Sequence, residues 1–497
     1  MDQQEGHSSP IQNTSDYPTQ RALVLQGGGA LGAYEVGAIK SLYKILSKED
    51  EINHRQGRPL FDVVAGTSIG AMNAAILVSN VVVRNKSWED SIKELESFWT
   101  DIDKGVPANP KNLNVIKQLP WYTPWQKQNE KEGEITEQQE KVAWHDKIPF
   151  VASEEAARRH YSVKFLSLVG MKEKVFSAPM IVPDYKFFDP DEKWYLFTNK
   201  GLRDTIEKYA DFPISSNNRS NKKGEQEEIP PRLLITSVDV AEGVTVTFDS
   251  YRKPDGTRKS EYGKEEEKME YKHVIKYPGI TLDHVMASGT LPQLYFPQMI
   301  DGRKFWDGGL LSNTPFRELL ESYQEYWIDK VSKKDKDKIP NLEVYIVNVH
   351  PSKGDINPMI YDDVKNRENN IVYGDRSSEH DQKVAMIMMD YVNIINDLKT
   401  LALEHLKEDE RKAFEREFEG SLMTKDAKRS TEIRGKDQKY GDLLMGTVEL
   451  TKVLRIERKD DENAVSHKTA DFTLDTIKAL IMQGETDALL ALGSSIQ

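Results

Sequence analysis

The sequence predicts an α/β fold, a mainly parallel sheet with helices against its faces. Two observations carry this expectation. The apolar run Ala22-Leu23-Val24-Leu25 enters a glycine-rich turn, Gly27 to Gly32, and is followed by Ala33 to Leu42 with apolar residues at helical spacing. The pattern then repeats: Phe61 to Ala65 reads as a strand, Gly66 to Gly70 as a tight turn, and Ala71 to Leu77 as a helix. Strand–turn–helix units in succession build parallel sheets, because each helix carries the chain back to start the next strand in the same direction.

The remaining elements follow in order. Residues 1–20 are polar and read as a disordered tail, without the basic start and apolar stretch of a secretory signal. From Asn80 to about Ala157 the text is helical, charged and rich in tryptophan, and Lys127 to Lys141 reads as a solvated insertion. Phe187 to Asp189 and Trp194 to Phe197 suggest short strands, and Asn217 to Glu228 a polar linker. Leu233 to Val240 is a core strand, joined through Ala241-Glu242-Gly243 to the half-buried strand Val244 to Phe248 as a hairpin. Leu342 to Val349 is a further strand, preceded by the mixed-charge loop Lys330 to Lys338. Beyond it lie a long helical pattern from Val384 to Phe418 and a charged stretch from Lys425 to Tyr440. A late strand, Val448 to Ile456, and an amphipathic helix, Phe472 to Leu492 with Thr473 as its cap, end the chain.

Composition narrows the function. The 497 residues are 38% hydrophobic and 30% charged, which suits a globular chain with much solvated surface. No run of about 18 apolar residues occurs, so no transmembrane helix is expected and the protein reads as cytoplasmic. The absence of cysteine excludes disulfides, thiolate metal sites and a cysteine nucleophile. A formal charge of −13 argues against nucleic acid as a partner and against strong attachment to anionic lipid. No His/Asp/Glu spacing resembles a zinc site, and no metal or cofactor is expected.

Three turns carry chemistry. Gly66-Thr67-Ser68-Ile69-Gly70 is a G-x-S-x-G sequence between a strand and a helix, the arrangement of a nucleophile elbow. Gly66 and Gly70 let the chain turn tightly, and the turn sets the Ser68 hydroxyl at a helix N-terminus, where N–H groups favour an anion. Gly27-Gly28-Gly29-Ala30-Leu31-Gly32 fits the letters of a dinucleotide loop, but the acidic residues at the right distance, Glu49, Asp50 and Glu51, lack a clear strand before them. The same glycines suit an oxyanion hole, since their N–H groups can converge on one oxygen without side-chain obstruction. Phe305-Trp306-Asp307-Gly308-Gly309 places an aspartate before a flexible bend. Ser68 needs a base: Asp307 is one candidate, and His350 is the best placed histidine for a Ser-His-Asp triad. His284 reads as a helix or loop residue.

These pieces, with Ala287-Ser288-Gly289-Thr290-Leu291-Pro292, Phe296-Pro297 and the continuation Leu310-Leu311-Ser312-Asn313-Thr314-Pro315, occur in an order that resembles the patatin-like phospholipases. The resemblance covers about Arg21 to Arg317. It implies a three-layer α/β/α fold and a Ser-Asp dyad cleaving acyl esters of lipids with neither metal nor organic cofactor. It implies Ser68 as nucleophile and Asp307 as base. The oxyanion donors would be at Gly27, Gly28, Gly29 and Ala30, with Gly32, Gly66, Gly70, Gly308 and Gly309 supporting the motifs. On this reading residues 21–350 form the catalytic domain, with insertions at about 100–185 and 217–228. Residues 351–497 form a mostly helical extension, whose Phe472 to Ile477 and Gly484-Glu485 resemble that of a prokaryotic subgroup. Leu31 departs from the family, whose loop commonly carries Arg or Lys there. The substrate expected is a lipid or other acyl ester. Peripheral membrane contact would use apolar entrances, for which Leu119-Pro120-Trp121-Tyr122-Thr123-Pro124-Trp125 and Leu294-Tyr295-Phe296-Pro297 are candidates beside their reading as aromatic core. A lipid-binding scaffold with an inactive site is the alternative in another class. The two are separated by whether Ser68 reacts with a fluorophosphonate.

Overall fold

A central sheet of mostly parallel strands organises the chain. The computed structural model describes residues 19–55, 58–103, 159, 162–163, 197–216, 230–251, 279–292, 294–330, 339–354, 361–375, 377–421, 440, 448–459 and 467–494. At the centre, β1 (Gln20–Leu25), β2 (Val63–Thr67) and β3 (Arg232–Asp239) pair in parallel, with Leu23 opposite Val64 and Ala65 opposite Leu234. Every residue of β2 and β3 is buried, so both sheet faces are covered, which explains their unbroken apolar text. β4 (Val244–Asp249) returns antiparallel from β3, the hairpin expected around Ala241-Glu242-Gly243. β5 (Gln298–Ile300) and β6 (Arg303–Asp307) form a second antiparallel pair. With β7 (Leu342–Asn348) and β8 (Leu450–Glu457) the order is β5-β6-β3-β2-β1-β7-β8, and β4 pairs β3 off this path.

Helices lie around this sheet. α1 (Ala33–Ile52) follows the glycine-rich loop, α2 (Ile69–Val82) follows the elbow, and α3 (Trp88–Asp103) packs against both. α2 is buried almost along its whole length, through Ala71, Ala74, Ala75, Ile76, Leu77 and Val78. Trp99 of α3 is fully buried and stacks on Phe472, with centroids 6.2 Å apart. α4 (Lys200–Tyr209) and α5 (Leu282–Ser288) complete this core.

The described chain divides into two compact units, each discontinuous in sequence. The larger holds Arg21–Leu319, Val344–Gln382 and Val453–Gln497. Its sequence-distant ends meet at a helix pair, α1 against α10 (Leu474–Ser494). A Cβ on Gly37 would lie 1.9 Å from the carbonyl oxygen of Ile481, and one on Gly484 would lie 2.0 Å from that of Tyr34. Backbone meets backbone at this crossing, which only glycine permits. Ser41 Oγ donates to Glu485 O at 3.0 Å, and Lys40 pairs with Glu485 at 2.8 Å. The final helix begins one residue after Thr473, close to the expected cap. Asp471 orders this start, accepting from the Thr473 and Thr476 hydroxyls at 2.8 and 2.7 Å.

The smaller unit holds Met1–Gln20, Leu320–Glu343 and Lys383–Lys452. It contains most of α6 (Phe316–Lys330), where Tyr326 and Trp327 pack edge to face at 5.2 Å. The helical pattern read as one from Val384 to Phe418 is two helices, α8 (Ser378–His405) and α9 (Glu408–Gly420), which follow α7 (Tyr361–Tyr373). The chain leaves the helix at Leu406 and Lys407, and Glu410 accepts the Lys407 N–H at 3.3 Å as α9 begins. The expectations for 1–18, 104–158, 187–189, 217–228, 331–338 and 425–439 lie outside the described residues.

Candidate active site

The elbow forms where β2 stops and α2 starts. Ser68 has φ 55° and ψ −124°, a conformation that side-chain-bearing residues rarely adopt. Neighbouring backbone holds it there. A Cβ on Gly66 would lie 2.4 Å from Gly70 O, and one on Gly70 would lie 2.5 Å from Leu25 O. The Ser68 N–H donates to Ser288 Oγ at 2.9 Å, and that hydroxyl donates to Thr236 O at 2.5 Å. Thr67 Oγ1 donates to Ser312 O at 2.9 Å.

Strand register brings Asp307 to the serine. β4 occupies one edge of β3, pairing Leu234 with Asp249 and Ser237 with Val246. β2 and β6 therefore share the other edge. Thr67 is opposite Thr236, and Asp307 is opposite the next residue, Ser237. The ends of β2 and β6 abut, and residues 239 positions apart in sequence meet: Ser68 Oγ donates to Asp307 Oδ2 at 2.7 Å. The other carboxylate oxygen accepts the Gly309 N–H at 2.7 Å, and the Asp307 N–H donates to Thr290 O at 2.8 Å. Asp307 is 1% exposed and Ser68 half-buried. Burial pushes the Asp307 carboxyl up to about 6, against the lowering effect of the bonds from Ser68 and Gly309. Gly308 packs on the backbone of Thr236.

The glycine-rich loop lies beside the serine. A Cβ on Gly27 would come within 3.0 Å of Ser68 Cβ. The Gly27 N–H donates to Asn313 O at 3.1 Å, and the Leu31 N–H donates to Gly28 O at 3.1 Å. The N–H groups of Gly28, Gly29 and Ala30 make no hydrogen bond to a described residue. Gly28 and Ala30 are buried and Gly29 is half-buried. Gly29 has φ +56°, and a Cβ there would lie 2.4 Å from Thr469 O, which fixes glycine at that position. A tight turn from Gly29 to Gly32 then leads into α1, and Gly32 packs against Ile69 and Trp99. Behind it, Asn73 Nδ2 donates to Gly32 O at 3.0 Å and to Glu35 Oε2 at 2.7 Å, while Trp99 Nε1 donates to Asn73 Oδ1 at 3.0 Å. Burial holds the Glu35 carboxyl well above the usual carboxylate range.

Other candidates fall elsewhere. His350 is buried beside the glycine loop, its Nε2 3.4 Å from where a Gly28 Cβ would be, whereas the Ser68 hydroxyl donates to Asp307. His284 lies in α5 and accepts the Thr281 N–H at 2.9 Å, a helix-capping role, and burial lowers it to about 4. Glu49, Asp50 and Glu51 lie at the end of α1, not at the end of a second strand, and Asp50 pairs with Arg21 through bonds of 2.6 and 2.8 Å. None of the three stands at a strand end, where a dinucleotide site needs its acidic residue. Leu31 is 2% exposed and belongs to the hydrophobic core. Leu294 and Tyr295 pack partly buried against the core, and Phe296 is 41% exposed. Trp121 and Trp125 lie outside the described residues. Ser288 and Asn313 carried no role in the sequence reading, and the signal for both was a polar residue set beside a glycine turn. Among the described residues no group of His, Cys, Asp or Glu could hold a metal ion, and no helix is long and apolar enough to cross a membrane.

Comparison with known proteins decides the family. A profile for patatin-like phospholipases matches residues 23–320. The chain belongs to the patatin-like phospholipase family. The elbow, the glycine loop and Asp307 all fall inside that span, so the described fold is the patatin fold. A curated relative, the cGAMP-activated phospholipase of Escherichia coli (strain TW11681), is 21% identical over 338 residues, covering 67% of this chain. The chain spans 62% of that relative's length. Among solved structures, VipD from Legionella pneumophila aligns over 96% of this chain and 67% of its own at 15% identity, with a TM-score of 0.33. Membership of this family supports hydrolysis of lipid esters.

Proposed function

We propose that this patatin-like protein is a serine acyl-ester hydrolase that cleaves carboxylic esters of lipids through a Ser68–Asp307 dyad. The observation that carries the reading is the 2.7 Å bond from the Ser68 hydroxyl to a buried carboxylate pushed up to about 6. A carboxylate of ordinary acidity is a weak base toward serine, and burial makes this one stronger. Asp307 Oδ2 takes the hydroxyl proton as Ser68 Oγ attacks the ester carbonyl carbon. The tetrahedral oxyanion is held by the N–H groups of Gly28 and Gly29, with Ala30 beside them. The Gly27 N–H is committed to Asn313, so Gly27 contributes shape to the hole. Collapse expels the alcohol, which takes the proton from Asp307, and leaves an acyl-serine. Asp307 then draws a proton from water, which attacks the acyl carbon; the bond to Ser68 Oγ breaks, Oγ takes that proton back from Asp307, and the fatty acid is released.

No metal or organic cofactor is needed for these steps. Leu31 faces the core, so this position offers no charge to a phosphate headgroup, and the reading is kept at lipid acyl esters. The protein is proposed to act in the cytoplasm on lipid at a membrane surface, with residues 21–350 forming the catalytic domain and 351–497 its extension. Ser68→Ala and Asp307→Asn are each expected to remove turnover of a short-chain p-nitrophenyl ester in folded protein. Substantial activity in either variant would reject the dyad.

A further inference from the structure

We propose that Asn313 is a positioning residue that locks the glycine loop to the Asp307 turn and ties both to the end of α7. This rests on the dyad reading above. Asn313 grips the loop twice: its carbonyl accepts the Gly27 N–H at 3.1 Å, and its Nδ2 donates to Gly27 O at 3.0 Å. The second Nδ2 hydrogen goes to Tyr373 O at 2.5 Å. Tyr373 is the last residue of α7, where helix carbonyls lack an intrahelical donor and accept from elsewhere. Space around the amide is reserved for it. A Cβ on Gly27 would lie 2.3 Å from Asn313 Oδ1, and a Cβ on Gly309 would lie 2.8 Å from the same atom. One glycine from each motif is therefore explained by one side chain.

The amide is the group that fits. A primary amide presents two N–H donors in one plane, and two carbonyls face them here. A carboxylate of the same shape has no donor and would repel both. A second contact reaches the loop from the other side, where the Thr469 carbonyl occupies the space beside Gly29. Lys468 Nζ donates to Asn370 Oδ1 at 2.7 Å and joins that turn to α7. The N–H groups aimed at the oxyanion are thus held between Asn313 on Gly27 and Thr469 on Gly29, and α7 backs both supports.

The test is steady-state kinetics of full-length Asn313→Ala and Asn313→Asp on a p-nitrophenyl ester. Active sites are counted by fluorophosphonate titration, and the pH profile is recorded. Removing an oxyanion donor outright costs about 10²- to 10³-fold, and a misaimed one less, so kcat per titrated site should fall about 10- to 100-fold with KM within about twofold. Asn313→Asp, which preserves the volume, should be at least as impaired, and Asn313→Ala, which adds no charge, guards against a folding failure. In Asn313→Ala the acid limb should stay where it is in the wild type, because Asp307 keeps its bonds to Ser68 and Gly309 and gains no charged neighbour. A merely structural role would lower the melting temperature and the titratable fraction but leave kcat per titrated site unchanged, and that result would overturn the proposal. So would a loss of kcat in Asn313→Ala accompanied by a displaced acid limb, which would place the effect on Asp307. If the wild type itself is not labelled at Ser68, the dyad reading fails, and this role fails with it.

Discussion

Replacing Asp307 by asparagine separates the shape of the site from its chemistry. The side-chain oxygen can still accept the Gly309 N–H, and the amide can sit where Oδ2 now lies, 2.7 Å from Ser68 Oγ, as a donor. The geometry survives and the proton acceptor is lost, so turnover should fall by about 10²- to 10⁴-fold. Stability should move the other way. The folded carboxyl titrates at about 6, above its ordinary 3.8, so the folded state holds the proton more tightly than the unfolded state. Its contribution is fully present below the unfolded value and is lost as pH rises through the folded value. Holding the carboxyl at about 6 rather than 3.8 corresponds to roughly 3 kcal/mol, so ionising Asp307 costs about that much above about pH 6. Asp307→Asn avoids the cost and should melt a few degrees higher than the wild type at about pH 8. The gap should shrink toward about pH 4.5. Thermal melts across that range, beside ester turnover, read both effects. A variant that is less stable at about pH 8, or whose advantage does not change with pH, would refute the claim that burial strains this carboxylate.

Two further predictions concern the supports of the site. Gly37→Ala should destabilise by about 2 kcal/mol or more, because overpacking against the Ile481 backbone outweighs the roughly 1 kcal/mol that alanine gains over glycine in a helix. Gly420→Ala meets nothing within 4 Å and should be neutral or slightly stabilising, so equal melting temperatures for the two variants would contradict the backbone contact between α1 and α10. Glu35→Gln should change stability by less than about 1 kcal/mol, because burial disfavours the charged form of this carboxyl and the amide oxygen can accept from Asn73. Chemical denaturation would check this, and a loss of several kcal/mol would mean that Glu35 is ionised in the fold.

The sequence made the turns legible and left the distances dark. Glycines in Gly27 to Gly32 and Gly66 to Gly70 announced close backbone approach, and the short apolar runs announced buried strands, because those demands are local. The hairpin at Ala241 to Gly243 was legible for the same reason. The partnership of Ser68 with Asp307 was not, except by resemblance to a family. It depends on β2 and β6 sharing one edge of β3, a register set by residues far apart in the chain. Ser288 and Asn313 were hidden for the same cause: each acts by bonding a backbone group from a distant segment. The junction between α8 and α9 was missed because apolar spacing continues through Leu406, and no glycine or proline marks the break.

The central claim is that Ser68 is a nucleophile activated by Asp307, and a fluorophosphonate tests it most directly. Intact-mass spectrometry and peptide mapping of the wild type should show one adduct, on Ser68. Ser68→Ala should show none, and Asp307→Asn should react far more slowly. The wild-type labelling rate should rise with pH and level off above about 6 as Asp307 ionises. A wild-type protein that stays unlabelled, or is labelled at another residue with Ser68 untouched, would contradict the account.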